Sequence, residues 1–149
     1  MKISVSAIFL LLSAVSMIHI PQNTILTSIL TDQEHYVLGD QVQITFIVEN
    51  LGQQSVTLHF RTGQQYDVWA TFDGNVVWRW SKDLDFIQEY TSFTLAPGER
   101  RTWNVIWKQC SQSGVQLPPG SCQIWGQLLA ENIKLDPVHR EMRLAVGRI

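Results

Sequence analysis

The chain has 149 residues, long enough for one domain with a substantial core and too short for two comfortable ones. Its net charge of −2 gives no electrostatic case for nucleic acid or for an anionic membrane surface. Its two cysteines and four scattered histidines stand in no H-E-x-x-H or C-x-x-C context, so the common metal and redox motifs are excluded.

At the N-terminus, Lys2 is followed by an apolar run from Ile3 to Ile20, centred on Ala7-Ile8-Phe9-Leu10-Leu11-Leu12. This is the pattern of a signal peptide, with small residues at Ala14 and Ser16 offering cleavage after Ser16. The run is also just long enough to cross a bilayer, so residues 1–20 read as a signal peptide or a membrane anchor. The domain proper, residues 22–149, is therefore expected outside the cytoplasm, secreted or periplasmic, and at a membrane only if that segment stays uncleaved.

After the polar join Pro21-Gln22-Asn23, Ile25 to Leu30 predicts a first, edge strand. Val42, Ile44, Phe46 and Val48 then alternate with polar residues, Asn50-Leu51-Gly52 marks a turn, and Val56, Leu58 and Phe60 alternate again. The two runs read as a hairpin with one buried face. Tyr66, Val68, Ala70 and Phe72 alternate with Asp67, Trp69 and Thr71 before Asp73-Gly74-Asn75, residues that tolerate positive φ and so reverse the chain. Val76, Trp78 and Trp80 carry the pattern onward into an acidic loop, Lys82 to Tyr90. Thr91 to Leu95 is the next strand, ended by a Pro97-Gly98 turn. Thr102 to Lys108 and Cys122 to Ala130 read as a further pair, and Met142 to Val146 closes the series. No helical period of apolar residues appears beyond the N-terminal run. Roughly eight or nine short strands with turns between them argue for an all-β, two-sheet antiparallel sandwich, with a closed barrel as the alternative.

Cys110 and Cys122 flank SQSGVQLPPGS, which looks like a long hairpin loop, and the exported reading makes a disulfide between them the expectation. Parity opposes it. Cys110 is in phase with Asn104 and Lys108, whereas Cys122 is in phase with Ile124, Gly126 and Leu128, so a bridge requires a bulge near Cys110. Two independent thiols are the other reading.

Several motifs in order, namely Tyr66-Asp67, Asp73-Gly74, Val77-Trp78-Arg79-Trp80-Ser81, Phe86, Leu95-Ala96-Pro97-Gly98-Glu99 and Pro119-Gly120-Ser121, resemble the BsuPI family of proteinase inhibitors. The resemblance runs from roughly Thr27 to Val146. It implies an immunoglobulin-like β-sandwich and protease inhibition, and it carries over no contact residues. The family's name comes from an intracellular inhibitor, so the exported reading shifts any target to an extracytoplasmic protease.

No catalytic constellation is expected: there is no G-x-S-x-G elbow and no phosphate-binding loop, so the protein reads as a non-enzyme without cofactor or metal. Asp83 and Asp85 lack the glycine and distal glutamate of a calcium loop. As an inhibitor the domain would present a rigid loop to a protein partner. The segment from Cys110 to Cys122 is the first candidate, with Leu117 entering an apolar pocket and Pro118-Pro119 restricting the backbone. The second candidate is the acidic loop, with Asp83, Asp85 and Phe86 at its centre. Trp78, Trp80, Trp103 and Trp107 fall on apolar faces and read as core. Trp69 and Trp125 are out of phase, so they either cover a sheet's outer face or anchor a binding surface. That second option is the alternative function, a non-catalytic surface or periplasmic module binding protein or carbohydrate.

Overall fold

Alternation of apolar and polar side chains governs what forms. In the computed structural model, which describes residues 24–147, it yields ten strands. These are β1 (Ile25–Thr31), β2 (His35–Val37), β3 (Val42–Asn50), β4 (Val56–Phe60), β5 (Tyr66–Phe72), β6 (Asn75–Arg79), β7 (Thr91–Leu95), β8 (Arg100–Trp107), β9 (Gly120–Leu128) and β10 (Val138–Ala145). A 3₁₀ turn, Trp80–Asp83, follows β6. The reading of residues 1–20 as signal peptide or anchor lies outside the described residues. Among those described, no helix is long and apolar enough to cross a membrane.

One sheet has the order β1-β3-β8 and another the order β2-β10-β9-β5-β6, while β4 and β7 form a two-stranded ribbon. All pairings are antiparallel except β2 with β10, which is parallel. This is the expected all-β, immunoglobulin-like sandwich, and β1 is an edge strand as predicted. The β5–β6 hairpin is also as predicted, turning through Asp73 at φ 50° and Gly74 at φ 77°.

Two expected hairpins are replaced by other pairings. β3 pairs with β1 and β8, and β4 pairs with β7. The cause is Asn50, which is buried at the end of β3 and takes the chain out of its sheet. Its side-chain amide donates to Gln54 O at 2.7 Å and Leu95 O at 3.0 Å, and its Oδ1 accepts the Gly52 N–H at 2.9 Å. Likewise β8 and β9 lie in different sheets, so the segment joining them crosses between layers.

The core sits between the sheets, where Val42, Phe46, Val68, Ile124 and Trp107 are buried. Each large apolar side chain contributes about 1.5–3 kcal/mol relative to exposure. The layers approach closely at Gly126 of β9: a Cβ there would lie 2.7 Å from Phe46 Cδ2 and 3.0 Å from Ile29 Cδ1. An aromatic stack leads outward from this core. Trp103 stacks on Tyr66 with centroids 4.7 Å apart, Tyr66 on Trp80 at 4.4 Å, and Phe86 meets the edge of Trp80 at 5.7 Å. The tryptophans assigned to packing do pack: Trp107 is buried, and Trp78, Trp80 and Trp103 are half-buried against the core.

Candidate functional site

The crossing between β8 and β9 and the acidic loop after β6 were separate candidates in the sequence, and the fold brings them together. Gln112 is the joint. Its backbone N–H donates to Val77 O at 2.8 Å, and its Oε1 accepts the Arg79 N–H at 2.7 Å. It thereby occupies the free edge of β6 as a strand residue would. Its Nε2 donates to Asp83 Oδ2 at 2.7 Å, which fixes the start of the acidic loop.

The base of the crossing is set by Gln109, a fully buried polar residue at φ 59°, in the left-handed region where a side chain is costly. Its Nε2 donates to Val37 O at 2.9 Å and to Asp40 O at 3.0 Å. Its carbonyl accepts the Leu117 N–H at 2.9 Å and Gln116 Nε2 at 3.1 Å. Trp107 Nε1 donates to Cys110 O at 2.9 Å, and the Trp107 ring stacks on Trp78 at 5.7 Å.

Beyond that base the chain closes into a small hairpin. Cys110 and Gln116 form an antiparallel bridge, Ser111 N–H donates to Val115 O at 2.8 Å, and Gly114 N–H donates to Ser111 O at 2.9 Å. Gly114 has φ 87°, the conformation that suits glycine at such a turn. Val115 N–H donates to Ser111 Oγ at 3.2 Å. Val115, on the returning arm just past the turn at Gln112 and Ser113, is 64% exposed and is the hairpin's exposed apolar side chain. A shallow cleft of about 250 Å³ runs beside it between Trp78, Asp83, Ile106, Lys108 and Gln112.

These contacts correct two expectations. Cys110 and Cys122 are both free. Cys122 is buried in β9 opposite Phe72 and Met142, while Cys110 lies beyond β8 with its Sγ directed to Lys108 O, so the parity conflict is resolved against a bridge. Burial pushes the Cys122 thiol up to about 12. Leu117, assigned to a protease pocket, is only 7% exposed, because the chain re-enters the core there before β9. Pro118 and Pro119 are exposed beside it.

In the acidic loop Asp83 is held by Gln112, Asp85 is exposed, and Phe86 packs against Trp80. Leu84 and Ile87 are exposed on either side of Phe86. Gln109, Gln112 and Val115 are the residues that sequence reasoning missed. For Val115 a signal existed, a lone apolar residue following glycine in a run of serine and glutamine.

Trp69 and Trp125 stand opposite each other on the outer face of the five-stranded sheet. Their rings are 6.1 Å apart and parallel within 2°. Arg79 lies over Trp69 with its Cζ 4.7 Å from the ring centroid, and His139 lies 4.4 Å from Trp125. The row is anchored by Asp67, whose Oδ2 accepts Arg79 Nη1 at 2.7 Å, and by Thr71, whose Oγ1 accepts Trp125 Nε1 at 2.9 Å. The ring faces are thus shared among four neighbouring strands, an arrangement that covers the sheet.

Among the described residues, no group of three or more His, Cys, Asp or Glu side chains could hold a metal ion. A family model described as intracellular proteinase inhibitor, BsuPI, matches residues 29–133. The chain belongs to the BsuPI family. That description overturns the secreted or periplasmic location expected from the apolar N-terminus, and the free thiols remove the second argument for export. No curated protein matches the chain.

Among solved structures, the CARDB domain of the PF1109 protein from Pyrococcus furiosus aligns over 84% of this chain and 96% of its own, at TM-score 0.52 and 14% identity. Spo0M, a sporulation control protein from Bacillus subtilis, aligns over 83% of this chain and 50% of its own, at TM-score 0.51 and 13% identity. A β-glucosidase from Erythrobacter marinus aligns over 83% of this BsuPI-family chain but only 16% of its own, at TM-score 0.48 and 13% identity. For the first two, at these identities, the likeness is one of fold alone.

Proposed function

We propose that this BsuPI-family domain is a non-catalytic proteinase inhibitor-like module that contacts its protease through the 110–116 hairpin, with Val115 exposed beside its turn, and the adjoining acidic loop. The observation that carries this is preorganisation. An inhibitor loop gains affinity when its bound shape is already set, because little conformational entropy remains to be lost on binding. Here the tip is braced at its base by buried Gln109 and along its flank by Gln112, and it still presents an exposed apolar side chain. Leu84 and Ile87 extend the apolar surface on the neighbouring loop.

The test is inhibition by the full chain across serine, cysteine and metalloproteases, with Val115→Asp as the site variant. Saturable inhibition is expected, weakened by about tenfold or more in that variant, since a charge at an apolar contact costs at least about 1.4 kcal/mol. The variant's melting temperature should match the native one because Val115 is outside the core. Inhibition unchanged by Val115→Asp would move the contact elsewhere, and absence of inhibition in every class would refute the function.

A further inference from the structure

A protease binds the segment it cuts as an extended strand, through main-chain hydrogen bonds and alternate side-chain pockets. The hairpin at 110–116 cannot be bound in that way while it keeps its shape. The main-chain groups that a bound strand would offer are already committed: Val115 O accepts from Ser111 N–H, Ser111 O accepts from Gly114 N–H, and Val115 N–H is bonded to Ser111 Oγ. Gly114 at φ 87° and Gln109 at φ 59° lie far from extended geometry. Flattening the turn would also release Gln112 from Val77 and Arg79. The Leu117–Pro118 bond, the other cuttable-looking position, has its apolar residue in the core.

We propose that the module engages its protease as a closed hairpin and not as a substrate-like strand. The surface it fits is a recess wide enough to admit a whole turn together with Val115 beside it, and no bond between Ser111 and Leu117 is cut. This rests on the inhibitor reading above and specifies how that site works. The partner is thus a protease whose recess or rim offers an apolar pocket to a compact turn.

The Cys110–Gln116 bridge supplies a direct test. Opposed residues of an antiparallel pair have Cα atoms about 4.5–5.5 Å apart, within reach of a disulfide. Gln116→Cys in the full chain therefore permits an oxidative lock on the closed hairpin, with Cys122 buried away from it. Oxidised and reduced forms of this one variant are compared, so any effect of losing Gln116 itself cancels. The oxidised form should inhibit within about threefold of the reduced form. Native protein left with the protease should show all bonds from Ser111 to Leu117 intact by mass spectrometry.

Loss of inhibition on oxidation with return on reduction would overturn the closed-hairpin mode and leave the inhibitor function standing. Cleavage of the native loop at Val115–Gln116 would do the same, and it remains decisive if the variant fails to fold. A native chain that inhibits no protease overturns the function and this proposal with it, a result distinct from redox-dependent loss.

Discussion

Gln109 offers the sharpest test of how the loop is held. Gln109→Ala removes two donated hydrogen bonds, to Val37 O and Asp40 O, and a long one accepted from Gln116 Nε2 at 3.5 Å, whose loss is left out of the sum, from a fully buried site. At about 1 kcal/mol for each neutral bond and about 1 kcal/mol more for the void left behind, the loss is about 3 kcal/mol. Val37 O keeps a second donor, the Asp40 N–H at 3.1 Å, so the full penalty of an orphaned carbonyl is not added there. In a domain of this size the change corresponds to a fall in melting temperature of about 9–15 °C. Gln109→Gly removes the same bonds but relieves the left-handed backbone at φ 59°. That relief, about 1–2 kcal/mol, is only partly offset by the extra freedom of glycine in the unfolded chain. The glycine variant should therefore be more stable than the alanine variant by about 0.5–1 kcal/mol, the reverse of the usual order in a strand. Urea and thermal unfolding followed by tryptophan fluorescence measure both. Equal stabilities, or alanine above glycine, would refute the claim that the backbone at this residue is strained.

Gly126→Ala should lower stability by about 1–3 kcal/mol, because the added methyl must displace Phe46 and Ile29 where the sheets approach closely; chemical denaturation reads this directly. Single and double alanine variants at Trp69 and Trp125 should give a coupling of about 0.5–1.5 kcal/mol in a double-mutant cycle, and additive effects would mean that the parallel rings do not support each other. Burial raises the Cys122 thiol from 9.0 to about 12 and, as the main cause, the hydroxyls of Tyr36 and Tyr66 from 10.0 to about 12. The folded state keeps these groups protonated where the unfolded chain would ionise, so their stabilisation is complete below pH 9 and lost as pH rises toward 12, with Cys122 responding first. Stability should thus begin to fall above pH 9, with a limiting slope of about 1.4 kcal/mol per pH unit per group, and Cys122→Val should delay that onset to near pH 10. A thiol reagent should label Cys110 in the native protein and Cys122 only after unfolding.

The sandwich was legible because alternation is a local signal: β3, β5 and β9 each declare a buried face within a few residues. Pairing was less legible, since a strand's pattern says which side is buried and not which strand lies beside it. Asn50 illustrates the gap. It reads as a turn residue, yet its buried amide bonds to Leu95, 45 positions away, and diverts the chain from the hairpin that local spacing suggests. Trp69 and Trp125 were correctly singled out as out of phase, but their register, together with Arg79 and His139, depends on four strands meeting in one row. Within the segment between Cys110 and Cys122, the exposed apolar residue is Val115 and not Leu117. An apolar residue before Pro118-Pro119 looks like a specificity residue, but the prolines lead the chain back into the sandwich and draw Leu117 in.

The misplaced disulfide and the glutamines that replace it bear on how such a loop works. A bridge between Cys110 and Cys122 would have joined the ends of an eleven-residue segment and left its middle to fold on its own. Gln109, Gln112 and Gln116 instead hold the segment at its base, along its flank and on its returning arm. Each bond is worth only about 1 kcal/mol, and those of Gln109 and Gln112 need the β2–β3 turn and the β6 edge in place. The loop's order is therefore a property of the whole sandwich and should be lost cooperatively with it. A brace of this kind also holds equally in reducing and oxidising surroundings, where a strained or exposed disulfide would not. For a family described as intracellular inhibitors, amide bracing is one way to keep a loop ordered without a disulfide.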